Sequence, residues 1–360
     1  MSNHMEVTIN VGLLGFGMSG RLFHAPFISN VAGLNLQKIK ASRPESIALA
    51  RQRYPETMIV ETVEAIFEDE MIDLVVIATA NPTHYSLAKA ALLAGKHVLV
   101  DKPFTVSSSE ADALITLAKE KQKVLSVYQN RRWDSDFKTV KKVLEANLLG
   151  KLIEYEAHFD RFRGELKKDT WKEENLPGAG ILYDLGAHLI DQALVLFGEP
   201  QQVYADIKTQ RTGSQVPDYF EVVLFYGNLK AILKAGMLVR ETGPHFMLHG
   251  TKGSFIKYGM DVQESDLKAG SFPTAVATNW GREPEELWGT LNTELNGLHF
   301  NGKIESETGD YTGLYQNVYN AIVGREEFEV KPEQARNTIR IIELAMQSSR
   351  EKRTIPYSLS

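Results

Sequence analysis

The chain has 360 residues, 43% of them hydrophobic and 24% charged, and its 40 basic and 46 acidic side chains leave a net charge of −6. This length predicts two domains, and the slightly acidic balance without a basic stripe argues against a nucleic-acid partner. The chain contains no cysteine, which excludes disulfides, thiolate catalysis and cysteine-bound metal centres. Because the N-terminus lacks a signal-peptide pattern and no apolar run approaches the ~20 residues that span a bilayer, we expect a cytoplasmic protein with no membrane partner.

The first predicted strand, Val7 to Leu14, leads into a glycine-rich turn with the pattern G-x-G-x-x-G. The residues of this turn are Gly15, Phe16, Gly17, Met18, Ser19 and Gly20. In a dinucleotide site the first glycine permits the sharp turn, the second lets backbone N–H groups approach a pyrophosphate, and the third lets the next helix pack closely. The positive N-terminal end of that helix also favours phosphate. A purely structural turn is the alternative, but the position between a strand and a helix-compatible segment favours a dinucleotide site formed by all six residues.

The next two predicted elements are a helix, Ser19 to Ser29, with a kink or broken first turn at Pro26, and a second strand, Leu34 to Ala41. No acidic residue lies between Gly33 and Pro44, and the strand is followed by Ser42 and Arg43. An NAD site places a carboxylate there for the ribose 2′-hydroxyl, whereas an NADP site uses arginine to bind the 2′-phosphate. We therefore predict that both residues contact NADP, with NAD as the alternative cofactor and a solvated basic strand end as the alternative structure.

Strand and helix signals alternate as far as Tyr128. The predicted strands are 58–60, 74–79, 97–100 and 124–128, and the predicted helices are 61–67, 84–94 and 107–121. Repeated βα units predict a parallel, doubly wound sheet of six strands, whose ligands bind at the carboxyl ends of the strands. The candidate cofactor contacts that follow these strand ends are Thr79, Asn81, His84, Asp101 and Lys102.

The second part of the chain has a different pattern, with long alternating strands joined by short turns. The predicted strands are 151–163 (exposed), 203–209, 220–226, 230–237, 246–249 and 254–258, the predicted helices are 136–148, 186–197 and 332–350, and loops with short helices are predicted over 259–310. Short turns predict an antiparallel sheet, so we expect an α+β domain with a large open sheet that packs on its own helices and on a second subunit. The predicted domains are 1–127 and 128–360, with the C-terminal helix at the domain interface.

Two polar sets suit catalysis. Lys102 follows a predicted strand next to the expected cofactor crevice, although an isolated lysine is more often a solvated surface residue. Asp184 and His188 lie four residues apart on a predicted helix, with Asp191 one turn further, and a histidine–carboxylate pair suits proton transfer near neutral pH. A hydrogen-bonded core histidine is the alternative. The same spacing could hold a metal, but without H-E-x-x-H or cysteine ligands we predict no metal site.

A third polar set, residues 128–134, lies where the two domains are expected to meet. Its adjacent arginines, Arg131 and Arg132, either bind a polar ligand or pair with carboxylates. The predicted substrate contacts are Tyr128, Asn130, Arg131, Trp133, Asp184 and His188.

In their order and spacing, the glycine-rich first turn, the sequence Asp101-Lys102-Pro103 and the D-x-x-x-H-x-x-D pattern at 184–191 resemble the Gfo/Idh/MocA oxidoreductases. The resemblance covers nearly the whole chain, and it extends to the NADP-dependent scyllo-inositol dehydrogenases as a group within that family. The stretches that carry this closer likeness are 17–20, 23–24, 42–43, 126–128, 130–134, 183–186, 254–259 and 351–355. Asp101 departs from the glutamate that is more common in the family, but the shorter acid keeps the charge.

The resemblance implies a Rossmann domain and an open-faced sheet domain that forms homodimers or homotetramers through its sheet. It implies NADP(H)-dependent hydride transfer between nicotinamide and a cyclic polyol or sugar, with scyllo-inositol and 2-keto-inositol as the expected pair. It also implies that His188 accepts the proton of the substrate hydroxyl and that Asp184 orients this histidine. Lys102 is then expected to stabilise negative charge on the reacting oxygen.

Three alternatives stay open at this point. The first is another sugar or polyol dehydrogenase of the same family, and the second is a non-catalytic NADP-binding sensor with the same fold. A methyltransferase also fits a glycine-rich first turn, but it normally has an acidic residue at the end of the second strand, and this chain has none there.

Overall fold

The structure is a computed structural model that describes residues 7–166, 170–273 and 279–359. Within these residues the chain forms two compact units, each assembled from three segments. The first unit lies in the spans Met1–Asn130, Gln263–Trp280 and Asp310–Ala335, and the second lies in Arg131–Val262, Gly281–Gly309 and Arg336–Ser360. Two late segments of the chain therefore pack with the first unit.

A parallel sheet of six strands forms the core of the first unit. Its strands are β1 (Ile9–Leu14), β2 (Leu34–Lys40), β3 (Met58–Val60), β4 (Leu74–Ile77), β5 (His97–Asp101) and β6 (Leu125–Tyr128). Their order across the sheet is β3-β2-β1-β4-β5-β6, and every neighbouring pair is parallel. Strand β1 lies between β2 and β4, so the winding reverses there, and the crevice at the carboxyl ends of β1 and β4 is the usual ligand site of such a sheet. The predicted doubly wound sheet is confirmed.

Each helix predicted from the sequence has a counterpart in the structure, but the helices at 44–53 and 312–322 were not predicted. The α-helices are α1 (Ala25–Asn30), α2 (Pro44–Arg53), α3 (Glu64–Phe67), α4 (His84–Leu93), α5 (Ser108–Glu120), α6 (Ser135–Glu145), α7 (Ala187–Phe197), α8 (Gln263–Ala269), α9 (Thr312–Ile322) and α10 (Pro332–Glu351). The 3₁₀ turns are Asn81–Thr83, Asn130–Trp133, Trp171–Glu173 and Glu285–Leu287. None of the helices in the described part of the chain is long and apolar enough to cross a membrane.

Two helices begin with a π-helical turn, Gly20–His24 before α1 and Leu182–Gly186 before α7. The first of these confirms the predicted break near Pro26, because α1 starts at Ala25 and the proline falls in its first turn. The missing N–H of proline costs little at that position, since the first N–H groups of a helix have no helical partner.

A second sheet forms the core of the other unit, and in the described residues it has nine strands. They are β7 (Leu152–His158), β8 (Gln202–Lys208), β9 (Tyr219–Tyr226), β10 (Leu229–Gly236), β11 (Phe246–Gly250), β12 (Gly253–Lys257), β13 (Gly289–Leu295), β14 (Leu298–Ile304) and β15 (Ile355–Pro356). The order is β14-β13-β12-β11-β7-β10-β9-β8-β15, and only the β7–β10 pair among these strands is parallel. The predicted large, mostly antiparallel sheet is confirmed.

Two predictions for this unit were wrong in detail. Strand β7, predicted as exposed, lies in the middle of the sheet between β11 and β10, with Tyr155 and Ala157 fully buried on one face. The region predicted as loops does contain the short helix α8, but it also contains the hairpin β13–β14. Asn296 and Gly297 form its turn with φ of 52° and 81°, as an Asn-Gly hairpin turn requires.

The C-terminal helix α10 confirms the predicted amphipathic helix, and its last turns protect the edge of β8. The hydroxyls of Ser348 and Ser349 accept hydrogen bonds from the backbone N–H groups of Ala205 and Ile207, each at 3.0 Å. Strand β15, which was not predicted, pairs with the start of β8. An otherwise open strand edge is thereby covered, which prevents pairing with other chains.

Candidate active site

The glycine-rich turn follows β1 at the carboxyl edge of the parallel sheet. Gly15 has a φ of +98°, and a Cβ there would lie 2.5 Å from the carbonyl oxygen of Ala78. A Cβ at Gly20 would lie 2.0 Å from the carbonyl oxygen of Gly15, so only glycine lets the helical turn approach the strand end. At Gly17 nothing lies within 4 Å of the Cβ position, which leaves its backbone open to a ligand. These three environments fit the cradle that a pyrophosphate needs.

The two larger residues of the turn, Phe16 and Met18, differ in burial. Phe16 is buried and packs edge-on against Tyr54, with 6.1 Å between ring centroids. Met18 is 53% exposed. The turn is therefore anchored on one side by an aromatic contact and is open at the side of Met18.

The end of β2 is cationic and accessible. Arg43 is exposed and precedes α2, and Lys40 donates to the hydroxyl of Ser42 at 2.6 Å. Lys38, further back in the strand, is bound to Asp69 at 2.6 Å and to the carbonyl oxygen of Ala65 at 2.7 Å. Arg43 and Lys40 are thus the accessible cations at this strand end, whereas Lys38 is held by Asp69.

Asp101 links the helix after the glycine turn to Lys102. Its Oδ2 accepts a hydrogen bond from the Ser19 hydroxyl at 2.5 Å and lies 3.6 Å from Nε2 of His24. Its Oδ1 accepts the backbone N–H of Lys102 at 2.8 Å. Burial by itself would raise the pKa of Asp101, but His24, the hydrogen bond from Ser19 and the charge of Lys102 lower it to about 2. This residue is therefore a carboxylate at any pH near neutrality, and it ties together two predicted cofactor-binding segments.

His84 occupies the first turn of α4 and is fully buried. Its Nδ1 lies 2.8 Å from the carbonyl oxygen of Pro103, and its Nε2 lies 3.2 Å from that of Thr79. Burial lowers the pKa of His84, which keeps the ring neutral. The ring connects the segments after β4 and β5, and its predicted contact with a cofactor stays a prediction. Asn81 is also largely buried, in the 3₁₀ turn before α4.

In the second unit, the predicted proton-transfer pair lies where the π-helical turn meets α7. Asp184 is in the turn and His188 is the second residue of the α-helix. Single π turns occur frequently at functional sites. Oδ1 of Asp184 accepts a hydrogen bond from Nζ of Lys172 at 2.8 Å. His188 is 5% exposed, and its ring meets the ring of Phe159 edge-on at a centroid distance of 6.3 Å.

The two adjacent arginines both pair with carboxylates. Arg132 donates from Nε and Nη2 to the two oxygens of Asp191, at 2.8 and 2.7 Å, and this pair is buried. Arg131 donates to Asp134 at 3.1 Å, and its guanidinium lies 5.6 Å from the ring centroid of Phe159. The alternative that these arginines pair with carboxylates therefore describes both of them. The substrate contact predicted for Arg131 stays a prediction.

The remaining predicted substrate contacts are buried side chains. Tyr128 is 2% exposed and packs against the rings of His24 and Tyr315, with centroid distances of 4.3 and 5.8 Å. Asn130 and Trp133 lie in one 3₁₀ turn and are also buried. These side chains form part of the packed interior, and their predicted role in binding is not tested by the structure.

A buried charged cluster behind Phe159 was not found from the sequence. His245 stacks on Phe159 at 4.9 Å, and its Nε2 lies 3.5 Å from Asp136. Burial lowers the pKa of His245 to about 3 and raises that of Asp136 to about 6. A second buried pair, Lys257 and Glu283, lies at 3.1 Å in the same unit. No local motif marks these residues, because their positions in the sequence are far apart.

Comparison with known proteins supports the resemblance. Residues 9–129 match the GFO_IDH_MocA model described as "Oxidoreductase family, NAD-binding Rossmann fold", and residues 141–359 match the model described as "Oxidoreductase family, C-terminal alpha/beta domain". The chain is 40% identical to scyllo-inositol 2-dehydrogenase (NADP(+)) IolW of Bacillus subtilis over 348 residues, which are 97% of this chain and 96% of that protein.

Solved structures agree in fold. The oxidoreductase YvaA of Bacillus subtilis is 39% identical with a TM-score of 0.94, over 99% of this chain and 100% of that one. An oxidoreductase from Bacteroides fragilis is 45% identical with a TM-score of 0.89, over 97% of this chain and 100% of that one. The family predicted from the sequence is confirmed, and the chain belongs to the Gfo/Idh/MocA family of NAD(P)-dependent oxidoreductases.

Proposed function

We propose that this protein is an NADP(H)-dependent dehydrogenase that transfers a hydride between nicotinamide and a cyclic polyol or sugar, with scyllo-inositol and its 2-keto form as the substrate pair. The observation that carries the proposal is the glycine cradle at Gly15, Gly17 and Gly20, joined through Asp101 to Lys102. The activity named for the Bacillus subtilis relative supports the substrate class. Other sugars or polyols are the alternative substrates.

The proposed cofactor site uses residues of the first unit. The glycine turn from Gly15 to Gly20 holds the pyrophosphate, and Ser42 and Arg43 hold the 2′-phosphate. Thr79, Asn81 and Asp101 line the strand ends on the side of the nicotinamide, and NAD is the alternative cofactor. When bound, NADP accepts the hydride during oxidation. The protein supplies position and charge.

The proposed proton chemistry uses three residues. His188 accepts the proton of the substrate hydroxyl during oxidation, and Asp184 orients the imidazole and stabilises its charged form. Lys102 donates a hydrogen bond to the reacting oxygen and stabilises the negative charge that develops there. Positioned proton transfer of this kind contributes about 10²–10⁴ in rate. The proposed substrate contacts are Tyr128, Asn130, Arg131 and Trp133.

The proposed domain roles keep the predicted boundary, although the segments 263–280 and 310–335 pack with the first unit. Residues 1–127 bind the cofactor, and residues 128–360 bind the substrate and a second copy of the chain. One face of the second sheet carries half-buried ion pairs such as Glu154–Lys230, at 2.8 Å, and this is the face that we propose for a homodimer or homotetramer. The proposed location is the cytoplasm. Sedimentation of the purified protein tests the assembly, and a monomer at micromolar concentration contradicts it.

The enzymatic proposal is tested by measuring formation of reduced nicotinamide with a panel of inositols and sugars, using NADP and NAD side by side. We expect turnover with at least one cyclic polyol and a higher kcat/KM with NADP. A protein that binds NADP, as measured by a thermal shift, but turns over no member of the panel would be a sensor instead. Loss of both binding and turnover would overturn the cofactor site.

A further inference from the structure

A short segment brings a lysine to the candidate proton-transfer pair. Lys172, in the 3₁₀ turn Trp171–Glu173, donates to Oδ1 of Asp184 at 2.8 Å. Its side chain is 45% exposed and that of Asp184 is 31% exposed. Exposed ion pairs contribute little to stability, because water screens them and two long side chains lose freedom. Stability alone therefore gives no reason for this contact.

The next residue along the segment is held by a buried arginine. Arg211 donates from Nη1 and Nη2 to the two carboxylate oxygens of Glu173, at 3.2 and 2.8 Å. The guanidinium side chain is 4% exposed, and its Nε donates to Asp218 at 2.9 Å. Asp218 also accepts the backbone N–H groups of Gln210 and Arg211, at 2.6 and 3.0 Å. Such a planar, two-pronged pair fixes orientation as well as distance.

The pair formed by Arg211 and Glu173, here called the Arg211–Glu173 clamp, is hydrogen-bonded to the second sheet through Asp218. Asp218 immediately precedes β9, and its own N–H donates to the carbonyl oxygen of Lys208 at the end of β8. Nη1 of Arg211 also donates to the carbonyl oxygen of Glu165 at 3.3 Å. The ends of β8 and β9 therefore support Glu173 through Asp218 and Arg211, and Glu173 is the chain neighbour of Lys172.

We propose that Lys172 is a positioning residue for the reaction: held in place by the Arg211–Glu173 clamp, it fixes the carboxylate of Asp184 so that this carboxylate can orient His188. The inference rests on the proposed function, in which Asp184 acts on His188. Removal of the ammonium group takes away this hydrogen bond to the carboxylate of Asp184. The loss then falls on the chemical step, whereas cofactor binding depends on residues of the glycine turn and strand ends.

The test compares Lys172→Met, Lys172→Arg and Lys142→Met with the parent enzyme. Lys142, on α6, pairs with Glu307 at the same distance of 2.8 Å and is 66% exposed, so it controls for loss of a surface ion pair. We expect Lys172→Met to lower kcat about fivefold, the upper end of what an exposed ion pair contributes, with unchanged affinity for NADPH and an unchanged Tm. Lys172→Arg should recover most of kcat, and Lys142→Met should stay within twofold of the parent.

A second variant tests the clamp without touching Lys172. Glu173→Gln keeps the length of the side chain but removes its charge. It should therefore lower kcat, as Lys172→Met does, but by a smaller factor. Equal kcat in Lys172→Met and the parent would overturn the inference. An equal loss in the Met and Arg variants, together with a lower Tm, would also overturn it, because the role would then be structural. Absence of turnover in the parent and in the Lys142→Met control would overturn the proposed function itself, and this inference with it.

Discussion

Nδ1 of His84 lies 2.8 Å from the carbonyl oxygen of Pro103, the residue that follows Lys102. The other ring nitrogen faces the carbonyl oxygen of Thr79 at 3.2 Å, so a single buried ring spans the segments after β4 and β5. A neutral imidazole carries one N–H, and it can therefore donate to one of the two carbonyls at a time. The ring both fills the space between the segments and satisfies a buried backbone group next to a proposed catalytic lysine.

His84→Phe preserves a ring of similar size and removes the donor. We expect the free energy of unfolding to fall by about 1–3 kcal/mol, the cost of leaving a buried polar group without its partner. The value of kcat/KM should fall as well, because the segment that carries Lys102 loses its support. Urea unfolding and steady-state kinetics measure the two effects. A variant that matches the parent in both would show that the ring serves only as packing.

Arg43→Asp replaces a cation at the end of β2 with an anion, so it should weaken NADP binding and favour NAD. Losing one charge-assisted pair with a phosphate costs about 1.5–3 kcal/mol, or roughly tenfold to a hundredfold in affinity. Arg51→Asp, in the last turn of the helix α2 that follows Arg43, is the matched control for the change in net charge. If the ratio of kcat/KM values for NADP and NAD is the same in the Arg43 variant and the parent, the assignment of this strand end is wrong.

Lys102→Met keeps the stem of the side chain and removes the ammonium group. Because the charge matters most when the reacting oxygen is partly negative, the loss should appear in kcat rather than in NADP affinity. We expect kcat/KM to fall by at least ~10², as when one stabilising donor is removed, with little change in Tm. Activity within a few-fold of the parent, on a substrate shown to be good, would assign Lys102 to the surface.

His188→Asn tests the proposed proton acceptor. Asparagine forms hydrogen bonds but does not accept the proton, so the variant should keep its fold and cofactor affinity while losing most of kcat. Circular dichroism and NADPH binding check the first two properties. An unfolded variant would support the alternative of a core histidine, since His188 is 5% exposed, and near-normal turnover would exclude the catalytic role.

Asp136→Asn tests the buried cluster through pH. Burial raises the pKa of Asp136 from 3.8 to about 6, so its contribution to stability is fully present below pH 3.8 and is lost as the pH rises through 6. The variant should therefore become more stable relative to the parent between pH 4 and pH 8, by about 2–3 kcal/mol for a shift of this size. Urea unfolding at several pH values measures the difference. A difference that is constant with pH would show that Asp136 titrates normally.

Much of the fold was readable from local patterns. The alternation of strands and helices up to Tyr128 predicts a parallel sheet, because the crossover helices cover both faces of such a sheet. The continuous apolar runs of the strands agree with burial on both faces. The break near Pro26 follows from the chemistry of proline alone. The sequence Asn296-Gly297 is a local signal for the hairpin β13–β14. The hairpin was not predicted, because several side chains of β14 are exposed and its apolar alternation is therefore weak.

The contacts that give the candidate site its character were decided by tertiary structure. Ser19 and Asp101 are 82 residues apart in the sequence, and Arg132 and Asp191 are 59 apart, yet each pair forms a short hydrogen bond. Similarly, the place of β7 in the middle of its sheet depends on a parallel partner, β10, far along the chain. A sequence pattern with a period of two or of 3.6 residues records which face of an element is buried. It does not record which distant element covers that face, because that choice is made by the packing of the whole unit.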